Sequence, residues 1–165
     1  MSGRTPLILA GNAGSNETIS LLLTLGASPD RMDYRGTTAL LYAIMSKCVH
    51  TINLLAPVTN VKLEEALGLL AKFKVEPITG ELKQLVEKAS QDKEVAMIGL
   101  KAAATFGSST IIDLIAQYTK DHVMFERMRP EIWMEAVKSD SEAAVSALLS
   151  LLPEPPSEAI SLARE

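Results

Sequence analysis

Residues 3–23, GRTPLILAGNAGSNETISLLL, and residues 36–56, GTTALLYAIMSKCVHTINLLA, share a skeleton of small and apolar residues at an offset of 33 positions. A constant period of this length is typical of a solenoid, in which each unit buries its apolar face only against its neighbours. The sequence therefore predicts repeated copies of one structural unit. Seven positions are identical, and they pair as Gly3 with Gly36, Thr5 with Thr38, Leu7 with Leu40, Ala10 with Ala43, Ile19 with Ile52, Leu21 with Leu54, and Leu22 with Leu55.

Each copy has the pattern of two short helices followed by a turn. A hydroxyl at Thr5 can cap free backbone N–H groups, and Pro6 fits a first helical turn because it has no N–H. We expect a second helix from about residue 16 to residue 25, with apolar residues three and four positions apart, and Gly26 ends it. Residues 27–36, ASPDRMDYRG, are rich in Pro, Asp and Gly and predict a chain reversal, here called the projecting turn.

Four short motifs carry a family resemblance. TPLILA at residues 5–10 and TALLYA at residues 38–43 open the two copies. LLTLGA at residues 22–27 closes the first copy, and DYRG at residues 33–36 leads into the second. These stretches resemble the T-P-L-H-x-A, L-L-x-x-G-A and D-x-x-G motifs of the ankyrin repeat.

The resemblance implies an all-α, ankyrin-repeat-like solenoid of stacked helix-turn-helix units with projecting turns. Two departures accompany it. The family histidine is replaced by Ile8 in one copy and Leu41 in the other, so its hydrogen bonds between neighbouring turns are not expected. The second copy also has Ala-Pro-Val at residues 56–58 in place of the helix-ending Gly-Ala.

The rest of the chain is assigned to repeats by spacing, because Ala103 precedes Ala136 by the same 33 residues. The second half is degenerate, and a different helix pairing there stays open. The tail either caps the stack or begins a further repeat, so the chain is either complete or part of a longer protein. We expect a single domain over residues 1–165, with repeats at 3–35 and 36–58, degenerate repeats at 59–91, 92–127 and 128–152, and a C-terminal tail or capping helix at 153–165.

Composition restricts the classes of partner. The chain has 16 Lys and Arg against 20 Asp and Glu, for a net charge of −4. Nucleic acids and anionic membranes bind concentrated basic patches, so this balance argues against both. One cysteine and no apparent leader predict an intracellular protein, cytoplasmic or nuclear, and no apolar run is long enough to span a membrane.

No residue pattern points to catalysis, a cofactor or a metal. Cys48 and His50 are expected in the link between two helices, and a structural zinc site usually needs four Cys or His ligands, which this chain does not readily supply. GNAG at residues 11–14 lacks the lysine and Ser or Thr of a phosphate-binding loop. Trp133 is interpreted as a core residue. Met124, Phe125, Met128 and Met134 are interpreted as core packing, with an adaptable binding patch as the alternative.

The ankyrin resemblance also implies where a partner would bind, because projecting turns and first helices line one concave face. Tyr34 and Arg35 lead this set, since Tyr and Arg are enriched among residues that dominate interface energy. The alternative is that Tyr34 packs along the neighbouring turn and Arg35 is merely solvated. Carried over position by position, the partner-binding residues are Arg4, Asn12, Met32, Tyr34, Arg35, Thr37, Met45 and Ser46.

The favoured hypothesis is a non-catalytic protein–protein interaction module that binds a protein or peptide through this face, as a monomer or with weak self-association. The alternative is an internal regulatory or structural ankyrin segment of a larger channel, receptor or signalling protein. An enzyme of unrecognised type is disfavoured, because no convergent titratable groups are found.

Overall fold

A computed structural model describes residues 2–119, 124–151 and 155–162. Those residues form helices joined by turns and contain no strand, so the predicted all-α fold is confirmed for them. The helices are α1 (Pro6–Ala13), α2 (Asn16–Thr24), α3 (Ala39–Met45), α4 (Val49–Leu55), α5 (Leu63–Phe73), α6 (Gly80–Gln91), α7 (Lys93–Phe106), α8 (Ser109–Thr119), α9 (Met124–Lys138), α10 (Glu142–Leu151) and α11 (Ser157–Leu162).

The chain divides into two compact units, residues 1–85 and residues 86–165. In the first unit, α1 packs against α3 and α3 packs against α5, while α2 and α4 lie against α1 and α3 and against each other. Leu7, Ile19 and Leu40 are among its fully buried side chains. This arrangement buries the apolar stripe of each helix pair against the next pair, as the repeat pattern predicts.

Local sequence explains how the first helices begin. The hydroxyl of Thr5 accepts a hydrogen bond from the N–H of Ile8 at 3.2 Å, and Pro6 occupies the first turn of α1. The hydroxyl of Thr38 accepts from the N–H of Leu41 at 3.4 Å in the same way. Ile8 and Leu41, which replace the family histidine, are buried, so these positions contribute apolar packing instead.

The connections between helix pairs differ in length. Fourteen residues, 25–38, separate α2 from α3, and they contain the projecting turn. Seven residues, 56–62, separate α4 from α5. The second connection is too short to hold another turn of the first kind.

In the second unit, α7 packs against α8 and α9, α10 packs against α8 and α9, and α11 packs against α9. The carboxylate of Asp92 caps α7 by accepting from the N–H groups of Glu94 and Val95 at 3.0 and 3.2 Å. Trp133 is 1% exposed, which confirms it as a core residue. The predicted repeat boundaries and the single-domain organisation stay predictions.

One local expectation is wrong. His50 belongs to the first turn of α4 and not to the link between α3 and α4, whereas Cys48 is the last residue of that link, as expected, and the N-cap of α4. The link is short because the chain turns at Lys47, which has a positive φ of 57°. A tight turn of this kind lets α4 start almost at once after α3.

Candidate binding surface

Asp33 organises the projecting turn. Its Oδ1 accepts hydrogen bonds from the N–H groups of Arg35 and Thr37 at 2.9 and 3.1 Å. Its own N–H donates to the carbonyl of Thr37 at 3.1 Å, and its carbonyl accepts from the N–H of Gly36 at 3.0 Å. The turn is therefore closed by four bonds to one residue, which fixes the positions of the residues between them.

The second carboxylate oxygen of Asp33 ties the turn to both repeats. The hydroxyl of Tyr42, on α3, donates to Oδ2 at 2.8 Å, and Arg4 Nη2 donates to that hydroxyl at 2.9 Å. The Arg4 guanidinium lies 4.7 Å from the centre of the Tyr42 ring, and its Nε lies 3.9 Å from Asp33 Oδ2. Arg4 thus combines a charge-assisted contact with a cation–π contact across the repeat boundary.

Opposing effects set the pKa of the Asp33 carboxyl. Burial raises the pKa, while hydrogen bonds from the N–H groups of Thr37 and Arg35 and from the Tyr42 hydroxyl lower it. The positive charge of Arg4 lowers it further. The lowering effects prevail, so the pKa of Asp33 lies below the usual value for an aspartate and the carboxylate is ionised at neutral pH.

Tyr34 lies at the tip of the turn and is 80% exposed. Its N–H donates to the carbonyl of Ser2 at 3.3 Å, and one edge of its ring lies against Gly3. A Cβ added at Gly3 would stand 2.9 Å from Cδ1 of Tyr34, so glycine permits this close approach. Tyr34 therefore packs along the preceding turn and still presents most of its surface to solvent.

Two arginines and one methionine accompany Tyr34 on the exposed side of the turn. Met32 is 54% exposed, and Arg31 and Arg35 are exposed as well. Within the described part of the chain, neither arginine side chain forms an ion pair. The nearby Asp30 carboxylate accepts a hydrogen bond from the N–H of Asn60 at 2.7 Å. The tip of the turn therefore offers apolar and cationic groups side by side.

The remaining predicted residues lie at the other end of the first helices. Ser46 Oγ lies 2.9 Å from the carbonyl oxygen of Asn12 and 3.3 Å from its Oδ1, which links the C-terminal ends of α1 and α3. Met45, beside Ser46, is exposed. The axial rise of about 1.5 Å per residue separates this group from the turn by roughly one helix length, about 10 Å.

The eight predicted residues thus fall into two groups. The turn group holds Arg4, Met32, Tyr34, Arg35 and Thr37, although Thr37 is half-buried. Sequence reasoning missed Asp33 and Tyr42, whose contact joins the turn to α3. Two features of the sequence could have indicated them. Asp33 is the first residue of the D-x-x-G motif, and Tyr42 places a hydroxyl inside an apolar helical stripe.

A second concave feature lies in the other unit. An apolar cavity of about 280 Å³, open to solvent on one side, lies between α9, α10 and α11. The indole Nε1 of Trp133 is buried and has no hydrogen-bond partner in the described part of the chain. The side chains of Met124, Phe125 and Met128, interpreted above as core or patch, lie outside the described residues. The cavity is lined by Trp133, Val137, Val145, Leu149, Pro155, Ala159 and Ile160.

The described residues hold no cluster of three or more His, Cys, Asp or Glu side chains placed to bind a metal ion. None of the helices, over the same residues, combines the length and apolar character that crossing a membrane requires.

A family model described as ankyrin repeats, three copies, matches residues 2–65. Residues 2–65 are ankyrin repeats. The resemblance carried by TPLILA, LLTLGA, DYRG and TALLYA is therefore confirmed. Ankyrin repeats are generally protein–protein interaction modules without catalytic activity, and the projecting turn lies inside the matched ankyrin segment.

The remaining comparisons concern the whole chain. No curated protein is significantly similar to it in sequence. Its fold is similar to that of an ankyrin repeat protein from Leishmania major, with a TM-score of 0.56 and 18% identity over 90% of this chain. The chain spans 58% of the length of that protein. This likeness extends the ankyrin-like solenoid fold beyond the matched segment.

Proposed function

We propose that the ankyrin segment binds a protein or peptide partner on the face formed by its projecting turn and first helices, without catalysing a reaction. The observation that carries the proposal is Tyr34, which is 80% exposed on a turn that Asp33 holds in place. Immobilising a side chain on binding costs about 0.5–1.5 kcal/mol, and a turn fixed beforehand avoids part of that cost. Exposed Tyr and Arg side chains on such a turn are suited to act as binding anchors.

A second candidate function is an internal regulatory or structural segment that docks onto the rest of a larger channel, receptor or signalling protein. Leu21 and Leu25 favour it. Leu21 lies in the last turn of α2 and Leu25, four positions later, is the C-cap residue of that helix, and they are 59% and 73% exposed. Residues at this spacing share one face of a helix, so the pair presents an apolar strip that the first unit leaves uncovered.

One experiment separates the two. The native chain, a Tyr34→Ala/Arg35→Ala variant and a Leu21→Ala/Leu25→Ala variant, each checked for folding by circular dichroism, are immobilised and used to capture proteins from a cell lysate. Loss of a bound protein in the turn variant alone supports the first proposal. Loss in the α2 variant alone supports the second, and retention by both variants contradicts both.

The intracellular location, the lack of nucleic-acid binding and the monomeric state expected from composition belong to the same proposal. Capture from a cytosolic or nuclear fraction, rather than from secreted material, would support the first of these. Analytical ultracentrifugation of the purified chain would test the monomeric state.

A further inference from the structure

The projecting turn buries the carboxylate of Asp33 and exposes the side chains of both of its arginines. The carboxylate of Asp33 is turned inward, where its residue is 7% exposed and where it contacts Tyr42 and Arg4. Arg31 and Arg35 are exposed and have no ion-pair partner in the described part of the chain. Asp30 is the other acidic residue of the turn, and it is exposed, so the surface of the turn carries two positive charges and one negative charge.

Apolar side chains alternate with these arginines. Residues 31–35 read RMDYR, and Met32 and Tyr34 are the exposed apolar members. The two arginines are four positions apart, so their Cα atoms lie within about 14 Å of each other, the reach of four extended residues. A partner that pairs with both arginines and also contacts Met32 and Tyr34 needs acidic groups on either side of an apolar group.

Guanidinium groups pair with carboxylates through two parallel hydrogen bonds, and this pairing favours arginine for recognising acidic groups. Phosphates of a nucleic acid share this chemistry, but nucleic-acid sites use longer basic tracks. The next first helix begins with Glu64 and Glu65, both exposed, so no such track continues along the unit. The local charge pattern favours a peptide over a nucleic acid.

Resting on the proposed function, we infer that the partner segment is an acidic peptide, with carboxylates that pair with Arg31 and Arg35 on either side of an apolar side chain that contacts Met32 and Tyr34. The recognition surface is the tip of the projecting turn. This surface can attract an acidic peptide although the chain as a whole carries a net charge of −4, because both arginines of the tip are exposed.

The test is selection of a random peptide library on the immobilised chain, followed by anisotropy titration of synthetic labelled copies of the enriched peptides. The expected result is enrichment of acidic peptides with at least one apolar residue between the acids. Charge reversal in Arg31→Glu/Arg35→Glu should weaken their binding about tenfold or more. Lys83→Glu/Lys88→Glu is the matched control, because it makes the same change of net charge at exposed positions of α6 and should leave the affinity unchanged.

Other outcomes decide against the inference. Enriched peptides that are neutral or basic, and that bind the Arg31→Glu/Arg35→Glu variant as well as the native chain, overturn it. The proposed function survives that result if Tyr34→Ala still abolishes binding. Tight binding of a labelled single-stranded oligonucleotide, lost on charge reversal, would replace the acidic peptide with a nucleic acid. If no peptide is enriched above a blocked surface, both the inference and the peptide-binding function fail.

Discussion

Asp33 shows how one side chain joins local and long-range structure. Its two carboxylate oxygens accept hydrogen bonds from different parts of the chain. Oδ1 accepts from backbone N–H groups within the projecting turn, and Oδ2 accepts from the Tyr42 hydroxyl on α3. Arg4 lies on the far side of that hydroxyl, 38 residues from Tyr42 in sequence. The turn is therefore held by the repeat before it and by the helix after it.

The lowered pKa of Asp33 predicts how stability depends on pH. An ordinary aspartate, as in the unfolded chain, titrates at about pH 3.9, whereas Asp33 in the folded chain titrates at a lower pH. Around pH 4 the folded state therefore binds fewer protons than the unfolded state. The stabilisation from this carboxylate is fully present above that pH, and it is lost as the pH falls through the ordinary value to the lowered one.

Urea denaturation between about pH 6 and pH 3 measures this effect. The native chain should lose stability below about pH 4. Asp33→Asn should be less stable at neutral pH and should show a flatter pH dependence below 4. Asp113→Asn, at an exposed position of α8, is the control and should keep the native slope. Parallel pH curves for the native chain and Asp33→Asn would contradict the assignment.

At the scale of the helical elements, close packing of α1 on α3 depends on Gly11. A Cβ added there would lie 2.7 Å from the backbone carbonyl oxygen of Ala39, which a real Cβ does not approach so closely. Backbone atoms of α3 cannot rotate away as a flexible side chain can. The repeat interface therefore needs a residue without a side chain at this position.

Gly11→Ala should destabilise the chain, even though alanine favours a helix interior by about 1 kcal/mol over glycine. We expect a net loss of about 1–3 kcal/mol, the usual cost of overpacking a core. Gly68→Ala, in α5, is the matched control, because nothing lies within 4 Å of the added Cβ. It should stabilise by about 0.5–1 kcal/mol from helix propensity alone. Equal effects of the two substitutions on thermal unfolding would show that α1 and α3 are not in close contact.

At the scale of the whole molecule, the two units differ in charge and in packing. Residues 1–85 contain eight Lys or Arg and seven Asp or Glu, whereas residues 86–165 contain eight and thirteen. The net negative charge therefore belongs to the second unit, which also holds the apolar cavity beside Trp133. This cavity is open to solvent, and two of its apolar lining residues, Leu149 and Ile160, are 45% and 41% exposed.

Filling that cavity should raise stability. Val145 is half-buried at the cavity lining, so the methylene added by Val145→Ile should contribute less than a fully buried methylene does, which is about 0.8 kcal/mol. Thermal unfolding followed by circular dichroism should show a higher midpoint. Val58→Ile, at a position that is 47% exposed, is the control and should leave the midpoint unchanged. A lower midpoint for Val145→Ile would mean that the cavity is too shallow to accept the group.

Much of the fold followed from local patterns. Thr5 and Thr38 begin the first helices where the sequence predicted, because a cap acts within three residues of chain. Helix spacing of apolar residues correctly predicted that Leu7, Ala10 and Ile19 are buried, but Leu9, in the same apolar stretch, is 52% exposed. Trp133 was assigned to the core from its position in the repeat, and it is buried. The second helix, expected from about residue 16, begins at Asn16 in α2 and 33 positions later at Val49 in α4, and only the placement of His50 in a link was wrong.

From the sequence follow the all-α class, the ankyrin repeats of residues 2–65 and the helix starts at Thr5 and Thr38. These properties depend on contacts between residues near each other in the chain. The inward direction of Asp33 and the exposure of Arg31 and Arg35 could be seen only in the folded chain, because packing brings Tyr42 and Arg4 together across the repeat boundary. That packing sets the charge that the turn presents to a partner, because the Asp33 carboxylate is buried against Tyr42 and Arg4 and does not contribute negative charge to the surface.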